Sequence, residues 1–263
     1  MSSDSTSQPD GWDPAQYNKF AEDRERPFWD LAAMIHKVPS PQVIDLGCGD
    51  GRLAAELARV LGASSLLGVD SSPAMITTAQ NHRSAGVDFV ASDIETWSPR
   101  GGYDIVFSNA AIHWVRDHEA VLTACRAALD RGGQLAIQVP ANADHRAHEL
   151  AGIVASEFLP APPPDAVAVN VLSPERYAEL LHELGFVEQR VRLEVYAQEL
   201  STTSAVVEWV KGSSLTRFKD PMGPENFERF VDAYRARLVT ELGEHSPYFY
   251  LFKRILVWGR LAQ

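Results

Sequence analysis

The sequence predicts an α/β fold with a doubly wound, mostly parallel sheet of seven strands and a helical cap. Three observations lead to this prediction: apolar segments alternate with amphipathic ones up to about residue 140, a glycine-rich turn follows the first apolar segment, and the pattern changes beyond residue 140. The chain has 263 residues and 45% hydrophobic content, enough for one large domain or a domain with a subdomain.

The first half of the chain alternates between predicted strands and helices. Continuously apolar segments separated by helices are typical of parallel strands covered on both faces, a Rossmann-like arrangement. Helix starts carry capping signals, with Ser72 before Pro73 and Asp117 before the helix at about 118–129. The predicted strands are 43–46, 66–70, 87–90, 103–108 and 135–139, the last after a turn at 131–133, and the other helices are 53–61 and one from Pro73.

The second half is organised differently. Helical patterns occur at 145–158, 174–184, 203–215 and 224–242, and strand patterns occur at 187–200 and 250–258. We expect the last strand to be antiparallel and the helices of 203–242 to form a cap over the carboxyl ends of the strands. The chain then divides into a disordered tail at 1–11, a core at 12–140, and a region at 141–263 with the cap helices and the last two strands.

The segment VIDLGCGDGR at 43–52 places glycines and carboxylates together after the first strand. Such turns usually bring backbone N–H groups to a phosphate. Here Gly47 and Gly49 match the start of the dinucleotide fingerprint, but its third glycine is missing, and Asp45 and Asp50 would repel a pyrophosphate. S-adenosylmethionine carries a sulfonium, an amino group and no phosphate, so the acidic turn favours this cofactor.

Acidic residues also follow the next two strands. Asp70 ends the second strand, where a carboxylate can accept both ribose hydroxyls. Asp93 follows the third strand and would pair with an adenine amino group, while Ile94 packs on the ring. Taken singly, Asp70 also fits a solvated strand end and Asp93 a turn residue. Because open α/β sheets bind ligands at strand carboxyl ends, the set favours a cofactor site.

The chain resembles class I S-adenosylmethionine-dependent methyltransferases, and most closely the trans-aconitate methyltransferases. The segments that carry the resemblance are WDPAQYNKFAEDRERP at 12–27, VIDLGCGDG, GVDSSPAMI, SDIETW, SNAAIHWVRDH at 108–118, LAIQVPAN, and the weaker YAELLHELGF and VVEWVKGSSL. The resemblance implies that 12–140 is a cofactor-binding core with an N-terminal lid helix. The expected cofactor-binding residues are Asp45, Gly47, Gly49, Asp70, Ser71, Asp93, Ile94 and Asn109.

The resemblance also implies a substrate pocket formed by the segment after the fourth strand and by the lid helix. Base N-methyltransferases carry a proline motif after that strand, and its absence from SNAAIH disfavours nucleobase methylation. The expected substrate-binding residues are Tyr17, Arg24, Arg26, His113, Trp114 and Arg217, with Lys253 and Arg254 as further candidates. Purely structural interpretations remain: Trp114 as a packing residue, His113 as a surface loop residue and the arginines as solvated charges.

The implied activity is methyl-ester formation on a small polycarboxylate such as trans-aconitate. A carboxylate is already ionised at pH 7, so alignment suffices and we expect no catalytic acid or base. Methylation of another small acid or of a hydroxylated metabolite would share every cofactor feature, as would a non-catalytic cofactor-binding protein. The acidic turn disfavours a nicotinamide dehydrogenase.

Charge and composition argue against nucleic acid and anionic membranes as partners, and the resemblance implies a small anionic molecule. The formal net charge is −11 and the sequence has no long Lys/Arg block, which argues against nucleic acid and anionic membranes. Without a signal-peptide pattern or an apolar run of ~18 residues, we expect a cytoplasmic protein. Cys48 and Cys125 are expected to be buried free thiols, and His113 lacks the further ligands that a metal site needs. The sequence does not indicate an oligomeric state.

Overall fold

The computed structural model describes residues 21–97 and 101–263, with the side chains of 21–24 outside that description. The tail at 1–11 therefore stays a prediction. The described chain forms two compact units. The core unit comprises Arg26–Ala141, Asn170–Glu194 and Arg254–Gln263, and the second unit contains Asn142–Val169 and Val195–Lys253 together with the start of the first helix up to Glu25.

The elements follow the predicted alternation. In chain order they are α1 (Ala21–Ala32), β1 (Gln42–Leu46), α2 (Arg52–Leu61), β2 (Ser65–Asp70), α3 (Pro73–Ala79), β3 (Val87–Ala91), β4 (Tyr103–Asn109), α4 (His118–Ala128), β5 (Leu129–Pro140), α5 (Arg146–Ala155), α6 (Ala166–Asn170), α7 (Pro174–Glu183), β6 (Phe186–Leu200), α8 (Ala205–Lys211), α9 (Lys219–Leu242) and β7 (Tyr248–Leu261). Short 3₁₀ turns occur at Gln80–His82, Ile112–Trp114 and Thr216–Phe218.

The strands form one seven-stranded sheet in the order β3-β2-β1-β4-β5-β7-β6, which confirms the predicted fold class. Neighbours among β1 to β5 are parallel, and β7 runs antiparallel to β5 as expected for the last strand. The strand order reverses between β1 and β4. Open α/β sheets bind ligands outside the carboxyl ends of the strands at such a switch point.

Helices cover both faces of the sheet in the core unit. On one face, buried residues of α4 and α7 pack on Ile44, Val106 and Ile137. On the other face, buried residues of α1 and α2 pack on Phe107 and Trp258. This two-sided burial explains why the strands are continuously apolar in the sequence. Cys48 and Cys125 are buried free thiols, as predicted.

Local signals set the ends of several elements where the sequence predicts them. The Ser72 hydroxyl accepts a hydrogen bond from the Met75 N–H, and the Asp117 carboxylate accepts one from the Ala120 N–H. The prediction was wrong for the start of β5, which begins at Leu129 instead of residue 135. The register with β4 shifts there, so a bulge accommodates the glycine-rich turn within the strand.

The second unit has its own core around α9. The stripe of Phe227, Phe230, Val231, Tyr234 and Leu238 is buried, as the helical spacing predicts. The backbone of α9 is non-helical at its internal glycine, and the regular helix begins with the proline that follows it. The helix predicted at 203–215 is shorter in the structure, where the α-helix α8 spans only Ala205–Lys211. None of the described helices is long and apolar enough to cross a membrane.

Candidate functional site

The glycine turn between β1 and α2 directs several of its backbone N–H groups into the protein. The N–H groups of Gly47 and Cys48 donate to the Val69 carbonyl at 2.8 and 2.9 Å. The Gly49 N–H donates to Oδ2 of Asp70 at 3.0 Å. A phosphate-binding turn would instead present such donors to its ligand. These three N–H groups are therefore satisfied within the protein itself.

The two glycines in the turn serve different purposes. Both have positive φ, +82° at Gly47 and +57° at Gly49. A Cβ on Gly47 would lie 2.1 Å from the Ala111 side chain, so Gly47 lets the turn close against the segment after β4. No described atom lies within 4 Å of a Cβ built on Gly49. The turn therefore borders open space at Gly49, where a ligand has room.

Asp45 and Asp70 bring a buried and a partly buried carboxylate to this turn. Burial raises the pKa of Asp45 to about 7, with a further contribution from the charge of Asp70. Burial also raises the pKa of Asp70, although the N–H groups of Ser72 and Gly49 oppose the shift. Within the described part of the chain, neither carboxylate forms an ion pair with a cation. The arrangement fits a cationic ligand, which would favour the charged form of both acids.

Three of the predicted cofactor residues follow β2 and β3. The Ile94 side chain is 3.7 Å from a Cβ built on Gly47, so the structure brings this predicted adenine contact next to the glycines. Asp93 is exposed, and its carboxylate accepts a hydrogen bond from the Glu95 N–H at 2.8 Å. Ser71 is exposed directly after β2. Their contacts with a cofactor stay predictions.

Asn109 ends β4 beside the turn. Its buried Oδ1 has no hydrogen-bond partner within the described chain, and a ligand ammonium would satisfy this acceptor. The next residue, Ala110, has a φ of +50°, and its N–H donates to the Gln138 carbonyl at 2.9 Å. A left-handed alanine costs ~1 kcal/mol or more, so the fold holds this bend against its local preference.

His113 and Trp114 lie in a 3₁₀ turn shortly after Ala110. His113 is 6% exposed, so the interpretation as a surface loop residue was wrong. Its ring centroid lies 4.6 Å from that of Trp114. The Asn170 side-chain amide, at the end of α6, donates to the His113 carbonyl at 3.0 Å and so connects this turn to a residue 57 positions later in the chain.

A buried pair of side chains that the sequence does not predict, His118 and Tyr177, lies beside this turn. Nδ1 of His118 lies 2.6 Å from the Tyr177 hydroxyl, and both side chains are buried. Burial lowers the pKa of His118, opposed mainly by the carbonyls of Ile112 and Val115, which flank the His113 and Trp114 turn. The partners are 59 residues apart in the chain, so no local pattern announces their contact.

The predicted substrate cations are distributed over both units. Arg26 is exposed on α1 in the core unit. Arg217, in the second unit, donates from Nη1 to Oδ2 of Asp165 at 3.2 Å, and its side chain is only 11% exposed. Lys253 pairs with Asp144 at 2.5 Å. Tyr17 and the Arg24 side chain lie outside the described residues. The described part of the chain contains no cluster of His, Cys, Asp or Glu that could hold a metal.

Comparisons with known proteins show the family of this chain. Residues 43–133, which include the glycine turn and the segment after β4, match the methyltransferase domain family. The trans-aconitate 2-methyltransferase of Deinococcus radiodurans is 38% identical over 251 residues, covering 93% of this chain and 96% of that protein. The enzyme of the same name from Afipia carboxidovorans is 35% identical and covers 86% and 89% of the two chains.

Solved structures share the fold at low sequence identity. YcgJ from Bacillus subtilis superposes with a TM-score of 0.62 at 14% identity, covering 91% of this chain and 99% of that chain. Phosphoethanolamine N-methyltransferase 2 of Haemonchus contortus, solved with S-adenosyl-L-methionine, gives 0.57 at 16% identity, covering 95% and 59%. The chain therefore belongs to the S-adenosylmethionine-dependent methyltransferases, in the family of the trans-aconitate 2-methyltransferases.

Proposed function

We propose that this protein transfers the methyl group of S-adenosylmethionine to a carboxylate of trans-aconitate and forms a methyl ester. The observation that carries the proposal is similarity to trans-aconitate 2-methyltransferases over nearly the whole length of both chains. The similarity extends beyond the glycine turn into the second unit. Methyltransferases that share a cofactor site differ in their substrates, so similarity outside that site supports a shared substrate.

The chemistry needs alignment more than proton transfer. The cofactor supplies an electrophilic methyl group on its sulfonium. A carboxylate oxygen of the substrate forms the new O–C bond while the C–S bond breaks, and the electron pair of that bond stays on sulfur. The carboxylate is ionised at neutral pH, so no proton has to be removed. The protein contributes orientation and exclusion of water, which supply large effective molarities in well-oriented reactions.

We assign the cofactor to the carboxyl edge of β1, β2 and β4. Asp70 would accept the ribose hydroxyls with the lone pairs that its bonds to Gly49 and Ser72 leave available. Asp45 and the buried Asn109 amide oxygen would face the cationic methionine end. The remaining cofactor contacts in this proposal are Gly47, Gly49, Ser71, Asp93 and Ile94.

The substrate must enter a protein that is itself strongly acidic, with a formal net charge of −11. Local cations therefore have to outweigh the overall field. In this proposal His113, Arg26 and Arg217 provide them, and each charge-assisted hydrogen bond is worth about 1.5–3 kcal/mol. Arg217 would share its charge between Asp165 and the substrate. Tyr17, Arg24 and Trp114 are the remaining substrate-binding residues in this proposal.

The test incubates the protein with methyl-labelled cofactor and a panel of acids. The panel contains trans-aconitate, citrate, isocitrate and a neutral diester of trans-aconitate. We expect alkali-labile methyl esters from trans-aconitate and little transfer to the diester. Transfer only to citrate or isocitrate would point to another small acid, and transfer only to hydroxyl groups would overturn the carboxylate assignment. Cofactor binding without transfer to any acceptor would indicate a non-catalytic binding protein.

A further inference from the structure

Gln138, near the carboxyl end of β5, is a buried glutamine whose amide oxygen is not satisfied. The residue is 1% exposed. Its Oε1 has no hydrogen-bond partner in the described part of the chain. Leaving a buried polar group unsatisfied costs roughly 1–3 kcal/mol, and such groups in native proteins call for a specific reason. The cofactor contacts proposed above do not include Gln138.

Gln134 shows how the same strand buries a glutamine that serves only the fold. It lies four residues earlier, so its side chain projects from the same face of the sheet. Its Oε1 accepts hydrogen bonds from the His36 N–H at 2.7 Å and from Trp258 Nε1 at 3.0 Å. Its Nε2 donates to the His36 carbonyl at 2.8 Å. The two glutamines are equally buried, and only the one near the carboxyl edge lacks this satisfaction.

Strand register places Gln138 in line with the cofactor edge. Gln138 pairs with Asn109 of β4, and two residues earlier on each strand Ala136 pairs with Phe107, which pairs with Asp45. Residues in register on neighbouring strands project to the same face. The carboxylate of Asp45 and the amides of Asn109 and Gln138 therefore lie on one face of the sheet.

The side chains at this edge of the sheet change from acidic to amide to basic in the order of the strands from β2 to β7. Carboxylates lie at or next to the ends of β1 and β2, an amide ends β4, and the amide of Gln138 lies two residues before the end of β5. Arg254 lies on β7 opposite Pro140, the last residue of β5. Strands are spaced by about 4.8 Å, so Gln138 is about 14 Å from Asp70 across three strand spacings. The amide of Gln138 thus lies away from the acidic end of the edge and beside its basic end.

We propose that Gln138 is a specificity-determining residue that binds the substrate, a small polycarboxylate, by donating its side-chain amide to a carboxylate oxygen. An amide oxygen only accepts, but rotation of the amide about its last side-chain bond exchanges Oε1 and Nε2, so in the flipped orientation Nε2 occupies the unsatisfied position and donates to an anion. Asn109 lies next to the acidic strands and keeps its oxygen toward the cation, whereas Gln138 lies one strand farther from them. In this arrangement the cationic cofactor lies beside the acids of β1 and β2, and the anionic substrate lies beside β5. This inference rests on the proposed function and assigns a further residue to it.

The first measurement is the stability of the protein without ligands, by thermal and chemical denaturation. Gln138→Met and Gln134→Met are matched substitutions on one strand and one face. We expect Gln134→Met to lower the melting temperature by about 5 °C or more, because its partners lose their hydrogen bonds. Gln138→Met should leave the melting temperature unchanged or raise it. A loss equal to that of Gln134→Met would show that Gln138 is structural and would overturn the inference.

The second measurement is steady-state kinetics with trans-aconitate, together with calorimetry of cofactor binding. Gln138→Met should raise KM tenfold or more and change the Kd of the cofactor less than twofold. Gln138→Glu should raise KM further, because its charge repels the substrate. The folded fraction of Gln134→Met should keep the wild-type KM within about twofold.

The outcomes separate this inference from the proposed function. A wild-type protein that methylates trans-aconitate, with an unchanged KM in Gln138→Met, would overturn the role of Gln138 alone. Tighter cofactor binding in Gln138→Glu would show that Gln138 faces the cation, and would overturn the substrate assignment. A wild-type protein that methylates no acid would overturn the proposed function and the substrate role with it, whatever the stability data show.

Discussion

Asp45 in the core unit is buried, Asp165 in the second unit is largely buried, and the two acids are in opposite electrostatic situations. Burial and the neighbouring Asp70 raise the pKa of Asp45 to about 7. Burial would also raise the pKa of Asp165, but the hydrogen bond with His148 and the charge of Arg217 outweigh it and lower the pKa to about 2. Among the described residues Asp45 has no counter-charge, whereas Asp165 is compensated by residues of its own unit.

We interpret the difference as one between residues that stabilise the fold and residues that bind a ligand in the proposed function. A buried charge with a partner is neutral in sum, and removing the partner exposes the full penalty of burying the remaining charge. A buried acid without a partner reduces stability until a cation binds. The same contrast separates Gln134 from Gln138 on β5, where the satisfied amide serves packing and the unsatisfied one lies at the carboxyl edge.

The largest expected effect is the loss of stability in Asp165→Ala. This substitution leaves the Arg217 guanidinium buried without its carboxylate, and breaking a buried pair typically costs 3–5 kcal/mol. Urea denaturation measures the change in the free energy of unfolding. Asp144→Ala is the control, because Asp144 is 68% exposed and its pair with Lys253 should contribute less than about 1 kcal/mol. Equal stability of the two variants would show that the Arg217–Asp165 pair contributes no more than the exposed Lys253–Asp144 pair.

The next effect concerns cofactor binding by Asp70→Ala. The substitution removes the carboxylate that would accept the ribose hydroxyls, and we expect affinity for S-adenosylmethionine to fall by about 2–3 kcal/mol. Asp88→Ala, at an exposed pair on β3, should leave the affinity unchanged. Isothermal titration calorimetry compares the two variants with the wild type. An unaltered affinity in Asp70→Ala would remove Asp70 from the cofactor site.

Opposite pH dependences are expected for the two acids. The raised pKa of Asp45 stabilises the ligand-free protein fully below pH 3.8, and this contribution is lost as the pH rises through about 7. The lowered pKa of Asp165 contributes stability above about pH 4 that is lost as the pH falls toward 2. Denaturation curves recorded from pH 3 to pH 8 should resolve both trends, with Asp45→Asn removing the first and Asp165→Asn the second.

Cofactor affinity should follow the titration of Asp45. A cationic ligand binds the ionised carboxylate, so affinity should rise about tenfold between pH 6 and pH 8, with proton uptake by the buffer during binding. Asp45→Asn should flatten this profile. Calorimetry in two buffers of different ionisation enthalpy measures the proton released. A profile that stays equally steep in Asp45→Asn would assign the titration to another group.

The sequence predicts what depends on neighbours along the chain and misses what depends on distant pairs. Strand alternation and the Ser72 and Asp117 caps are local, and the structure confirms them. The glycine turn also predicts a cationic ligand from the sequence alone, because Asp45 and Asp50 lie beside its glycines. The pairing of Arg217 with Asp165 joins residues 52 apart, and no local pattern reports it. The unsatisfied amide of Gln138 likewise depends on which donors the sheet brings near.

The smallest expected effect is that of Gly49→Ala. Gly49 has a φ of +57° with no described atom near its Cβ position, so the substitution should cost only about 1–2 kcal/mol of stability through the left-handed backbone. The added methyl group would occupy the open space beside Asp70 and should weaken cofactor binding several-fold. Gly47→Ala is the contrasting variant, because its methyl group meets Ala111 at 2.1 Å and should disrupt the turn itself. If Gly49→Ala binds the cofactor as tightly as the wild type, the ligand does not approach the turn at this glycine, and the site must lie farther toward β4.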